Sequence, residues 1–536
     1  MAYLLHQFLV ESARRSPDKT AVISDKQCLS YGALDKLTDQ LARILRSQGV
    51  APGDRVGIYV SKSLASVVSL FGILKAGASY VPLDPGAPAQ RLAYIIRDSA
   101  ITALLTSTNK VAGVQLMFPD DCPLRTVVLV DCDLPPEHRP ATASVPAGVA
   151  AISWNAVLAQ PPSPLPENLA IETDTAYILY TSGSTGTPKG VMISHRNSLT
   201  FVNWAAEYVG LMADDRLSNH APLHFDLSIF DIFSSCRVGA TTILVPEGIA
   251  TFPGQLTKLI ERERITVWYS VPSALTLLVL YGKLNAHDLS CLRAIIFAGE
   301  VFPVKYLRRL MNTLPQARYL NWYGPTETNV CTSYEVPPLD PERTEPIPIG
   351  KACANTGVFA VNRTGGKVTA PGESGELYVH GPSLMQGYWG HPEKTAKVLI
   401  RNPFQLHFHE LAYKTGDIVT LDADGNYLYL GREDGMIKTR GYRVELGEIE
   451  AVLFGHPAIR EVAVLPVPDD VLGNRLRAVI SAYEGSTLTR EEVLTFCHQQ
   501  LPHYMVPEMI EFREALPKTS TGKTDRVSLA QSFSSW

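Results

Sequence analysis

Apolar residues recur at helical spacing over residues 31–48 (Leu34, Leu37, Leu41, Ile44, Leu45), where the pattern stops at Gly49. A second helix is predicted over 4–15, ended by Pro17. Short apolar runs at 20–24 and 55–60 predict strands, and 63–76 predicts a helix closed by Gly77. This β–α alternation predicts a parallel or mixed sheet layered with helices. Residues 177–180, Tyr-Ile-Leu-Tyr, predict a buried strand. A helix is predicted over 195–209, and strands over 265–269 and 294–298. Between 111 and 167 the periodicity fades under ten prolines, so surface loops with a few short strands are expected there. Residues 358–379 and 413–430 read as antiparallel strands with glycine turns, a small β-subdomain. Beyond 435 the character changes again. A helix over 444–453, strands over 462–466 and 475–482, and a helix over 490–499 make a compact α+β unit.

The length, 536 residues, exceeds what one core supports, so several domains are expected. Apolar residues make up 46%, as in a globular chain. The net charge of −5 argues against a nucleic-acid partner. The eight cysteines form no CxxC pair and read as reduced cytoplasmic thiols. The N-terminus lacks the basic region of a signal peptide, and no apolar run is long enough to span a membrane.

Past Tyr180 the side chains shrink abruptly: Thr181, Ser182, Gly183, Ser184, Thr185, Gly186, then Lys189. Such a loop can lay amides and hydroxyls against phosphate oxygens, with the lysine as a point charge. No Walker loop can be placed on it. The full string YILYTSGSTGTPKG resembles the phosphate loop of the adenylate-forming superfamily, which includes acyl-CoA synthetases, luciferases and amino-acid adenylation domains of nonribosomal peptide synthesis. The resemblance runs from about 31 to 526. It includes LKAGASYVPLDP (74–85), where a packing role suffices, NWYGPTE (321–327), YKTGD (413–417), GREDGMIKTRGYRVELGEIE (431–450) and LPKTSTGKTDR (516–526).

The resemblance implies an α/β multidomain fold. A large N-terminal domain of layered α/β sheets with a small β-barrel-like subdomain spans 1–432, and a small mobile α+β domain spans 433–536. Asp434 is implied as the hinge between them. It implies ATP and Mg²⁺ as cofactors, with Glu327 as the metal's carboxylate. Tyr323 is implied to stack on adenine, Asn321 to bond the base edge, and Gly324 and Thr326 to sit beside the nucleotide. Asp417 and Arg432 are implied at the ribose. Lys523 is implied as the catalytic lysine of adenylation, and Lys438 with the Gly441 loop as the part that enters for thioester formation. A carboxylate is already ionised near neutral pH, so attack on the α-phosphate needs positive charge and alignment rather than a general base.

Asp226, in HFDLS, separates branches of the superfamily. A carboxylate in an apolar pocket is costly unless it meets a charge such as a substrate ammonium. Motif offsets place Leu227, Phe230, Tyr269, Ile296, Ala298, Trp322, Val330 and Cys331 around it, with Lys523 closing the pocket. The lining is bulky and carries no second charge. It resembles the pocket of freestanding enzymes that adenylate proline for a carrier protein, and departs from it at Trp322 and mildly at Ile296. The resemblance implies a small apolar amino acid, proline favoured, passed to the phosphopantetheine of a separate carrier protein, since no carrier motif follows Trp536. The alternatives are another small or β-amino acid, or a carboxylate–CoA ligase.

Overall fold

The computed structural model describes every residue except 1, 119–122, 141–143, 164, 166–169, 184–186, 433–435, 519–523 and 532–536, and the side chain of 527. Two large sheets carry the N-terminal part. In one, Thr175–Thr181, Ser79–Pro82, Arg55–Tyr59, Ala103–Thr106, Thr126–Leu129 and Ala150–Ile152 run parallel as neighbours. In the other, Val267–Ser270, Ala294–Ala298 and Arg318–Tyr323 lie side by side and parallel. Helices pack between the sheets. Leu64–Lys75 is buried on every side, so its sequence is apolar all round. Its one charge, Lys75, is held by Asp35 at 2.6 Å and Asp39 at 2.7 Å, as a buried cation requires.

The expected strand at 177–180 spans Thr175–Thr181, and the helix expected at 195–209 is His195–Val209. Between them runs Lys189–Ser194, a strand antiparallel to Thr175–Thr181. Of the surface loops with a few short strands expected over 111–167, the short strands are Thr126–Leu129 and Ala150–Ile152, and they belong to the large sheet rather than to surface loops. Thr126–Leu129 is buried throughout, and Trp154 is 1% exposed in the main core. Four-residue strands inside a parallel sheet show no alternation, so prolines masked them.

The five-stranded antiparallel sheet contains Gly357–Val361, Ser374–His380, Leu399–Arg401, Leu411–Leu421 and Tyr427–Arg432. Beyond it, Met436–Thr439 and Tyr442–Glu445 form a hairpin, and Ile459–Asp469, Gly473–Ala482 and Met509–Phe512 form a separate sheet. The helix expected at 444–453 is Leu446–Phe454, because Val444 and Glu445 belong to the hairpin strand. The two turn residues, Arg440 (φ 52°) and Gly441 (φ 81°), both have positive φ, the signature of a tight turn matched to strand twist.

Candidate active site

Three strands end at one place. Ala294–Ala298 and Arg318–Tyr323 deliver their C-terminal ends there, and Val267–Ser270 brings Tyr269. Alternation along Arg318–Tyr323 puts Trp322 on the opposite face from Asn321 and Tyr323. Trp322 is 1% exposed and packs edge-on against Phe230 (5.2 Å), Tyr269 (5.3 Å) and Phe201 (6.1 Å), and tilted against Trp204 (5.2 Å). Of this aromatic block Tyr269 lines a cavity of about 100 Å³, together with Asp226, Leu227, Ala298, Val330 and Lys438, and Trp322 packs behind Tyr269. Phe230, Ile296 and Cys331 are fully buried behind those walls, so they shape the cavity indirectly. Asp226 is pushed up to about 6 by burial, only partly offset by a hydrogen bond from Thr326 and the charge of Lys438. No ion pair to it is seen among the described residues.

A second cavity of about 190 Å³ is bordered by Gly299, Asn321, Trp322, Tyr323, Tyr429 and Lys438. Asn321 donates its amide to the Pro348 carbonyl at 2.8 Å. The Tyr323 hydroxyl donates to Asp417 Oδ2, and Arg432 Nη1 meets Asp417 Oδ1 at 2.6 Å. Asp417 and Arg432 border the first cavity, and the two chambers share Gly299 and Lys438. Gly324 has no room for a side chain: a Cβ there would lie 1.6 Å from the Asn329 carbonyl oxygen.

Glu327 is fully buried. It accepts the Tyr388 hydroxyl at 2.7 Å, lies 3.6 Å from Lys189 Nζ, and lies 3.3 Å through each oxygen from Arg443 Nη1. Despite burial, the Arg443 and Lys189 charges hold its carboxyl down to about 2. Burial and the nearby guanidinium push Lys189 down to about 8. The Ser182 hydroxyl donates to the Arg443 carbonyl at 2.7 Å, and the Gly183 amide donates to Glu448 at 3.3 Å. Arg91 pairs with the other oxygen of Glu448.

The small-domain hairpin therefore sits inside this site. Its tip is anchored by Glu300, which accepts the Gly441 amide at 2.6 Å and the Ser273 amide at 3.0 Å. Lys438 Nζ stands 5.7 Å over the Tyr323 ring. Lys62 donates to the carbonyls of Asn219, His220 and Ala221, pinning the turn that precedes Asp226. Sequence reasoning missed Arg443, Glu448, Arg91, Glu300, Lys62 and Tyr388. The first two lie in a motif that was noticed; their partners lie hundreds of residues away and carried no local signal. Ser184, Thr185, Gly186, Asp434 and Lys523 lie outside the described residues, as do residues 433–435 just past the expected boundary at Arg432.

A model for AMP-binding enzymes matches residues 9–389, and one for the AMP-binding enzyme C-terminal domain matches 448–523. The chain belongs to the AMP-binding enzyme family. Two similar relatives carry the name L-proline--[L-prolyl-carrier protein] ligase. One, from Pseudomonas fluorescens, is 41% identical over 98% of this chain and 99% of its own length. The other, from Streptomyces coelicolor, is 39% identical over 93% and 91%. Among solved structures, the Vibrio cholerae adenylation domain AlmE, in complex with glycyl-adenosine-5'-phosphate, superposes with a TM-score of 0.83 at 25% identity, covering 100% of this chain and 98% of that one.

Proposed function

We propose that this enzyme activates a small apolar amino acid, proline first, as its acyl-adenylate and then passes it to the phosphopantetheine thiol of a separate carrier protein. The observation that carries this reading is Asp226. A carboxylate lifted to about 6 by its apolar surroundings gains most from an ammonium ion, and proline's protonated ring nitrogen still offers two N–H donors. The names of the two relatives support proline. The small volume of the cavity walled by Tyr269, about 100 Å³, supports a compact side chain.

The substrate carboxylate attacks the α-phosphorus; a P–O bond forms and the bond to pyrophosphate breaks. In this reading the second cavity receives adenine against Tyr323 and Asn321, and Asp417 with Arg432 receives the ribose hydroxyls. Thr181, Ser182, Gly183 and Lys189 face the phosphates. Glu327 suits Mg²⁺, a metal that takes one or two carboxylates and leaves its other positions to phosphate and water; when bound, it neutralises phosphate charge. Lys523 bridges the two anions and aligns them.

Transfer needs the place that Lys523 held, so the small domain turns about Asp434 and brings in Lys438 and the Gly441 loop. The seating of that hairpin beside Asp226 and Tyr323 supports assigning the present arrangement to transfer. A third cavity of about 460 Å³, bordered by Lys62, Pro222, Val271, Arg440, Tyr442 and Tyr504, adjoins the first through the two tyrosines and suits a thiol-bearing arm. Incubation with ATP, Mg²⁺ and proline should yield enzyme-bound prolyl-AMP by mass spectrometry. Proline-dependent release of ADP in place of AMP would overturn the reading.

A further inference from the structure

The small domain fills the phosphate side of the site with its own charges. Arg443 Nη1 rests 3.3 Å from both oxygens of Glu327, the carboxylate proposed above for the metal. Glu448 accepts the Gly183 amide, a donor proposed above for a phosphate oxygen. A guanidinium stands where a metal cation belongs, and a carboxylate stands where phosphate belongs. Arg443 Nε–H is buried and has no partner among the described residues. Arg443 also borders the cavity that holds Asp226, Thr326 and Lys438.

We propose, resting on the adenylation-and-transfer reading, that Arg443 is a catalytic residue of the transfer step: it docks on Glu327 after magnesium pyrophosphate has left and gives its Nε–H to the phosphate of departing AMP. In that step the thiol sulfur bonds the acyl carbonyl carbon and the C–O bond to phosphate breaks. The electron pair stays on the phosphate oxygen, and the thiol proton passes to water. The phosphate thereby gains a negative charge just when Lys523 has been withdrawn. Arg443 arrives on the hairpin that displaces that lysine. The rigid guanidinium fork lets one side chain serve two anions, Glu327 through Nη1 and phosphate through Nε, which a point charge does less well.

The test uses the full chain with Arg443→Ala and Arg443→Lys. Single-turnover transfer from pre-formed prolyl-adenylate to pantetheine is measured as a ratio to proline-dependent ATP–pyrophosphate exchange. In the alanine variant the ratio should fall about 100-fold, the usual loss for one charge-stabilising donor, and added ethylguanidine should restore part of it. The lysine variant should lie between alanine and the parent. Hydrogen exchange supplies a readout apart from turnover: AMP should protect amides 436–445, and Mg²⁺ with pyrophosphate should strip that protection. A ratio within threefold of the parent overturns the catalytic role, and hairpin protection indifferent to magnesium pyrophosphate overturns the displacement. If alanine abolishes exchange as well, the lysine variant decides: a ratio down tenfold or more supports the role, and an unchanged ratio ends it. Failure of the parent enzyme to exchange with any amino acid would instead sink the underlying adenylation reading.

Discussion

Asp226 links stability to selectivity. Its rise from the ordinary 3.8 to about 6 means that ionisation destabilises the empty enzyme. The unfolded chain releases this proton near pH 4 and the folded chain near pH 6, so the group's contribution to stability falls as pH rises through that window and stays low above it. Asp226→Asn should therefore stabilise the empty enzyme at pH 7, by up to about 3 kcal/mol and less where cavity water screens the charge, read as a raised melting temperature. Asp226→Ala should cost amino-acid activation about 3–5 kcal/mol, a 10²- to 10³-fold loss in kcat/KM. Proline KM should climb as pH drops below about 6, where protonation removes the ammonium's partner. Unchanged amino-acid kinetics in the alanine variant would place the ammonium elsewhere. Trp322 backs the Tyr269 wall. Trp322→Leu should loosen that wall and admit larger or substituted rings, read from a substrate panel. A lost methylene is worth only about 1–3 kcal/mol, so alanine should leak through measurably in either form.

At the scale of elements, Ala294–Ala298 was legible in the sequence as a bounded apolar run, whereas Arg318–Tyr323, which carries an arginine and an asparagine, was marked only by the motif residues at its tip. The hairpin at 436–445 was not legible. Its turn uses Arg440-Gly441 rather than the asparagine–glycine pair that announces such turns, and Val444 continued an apolar pattern that reads as helix. The hairpin's seating rests on Gly441 having no side chain. A Cβ there would lie 2.3 Å from Val271 Cγ1, on a backbone already at φ 81°. Gly441→Ala should thus slow thioester formation by about two orders of magnitude, through misplacement of the inserted tip. Adenylation, made with the hairpin withdrawn, should be far less affected. Equal loss of both half-reactions would remove the hairpin from the transfer step.

At the scale of the molecule, the order of domains and the reaction class could be read from motifs spread over nearly the whole chain. The contacts between domains could not, since Arg91–Glu448 and Arg443–Glu327 join residues 357 and 116 positions apart. The account requires two arrangements of one small domain. Lys523→Ala should nearly abolish adenylate formation yet spare thioester formation from supplied adenylate, and Lys438→Ala should do the reverse; matching losses in both variants would contradict a turning domain. Beneath this lies the central claim, that the enzyme adenylates a compact amino acid. Amino-acid-dependent ATP–pyrophosphate exchange across a panel including proline, alanine, β-amino acids, charged and aromatic residues tests it most directly. The account predicts proline fastest, alanine weaker but measurable, and charged and aromatic amino acids near background. A charged or aromatic amino acid preferred over proline by tenfold would contradict the pocket, and no exchange with any amino acid would contradict the claim itself.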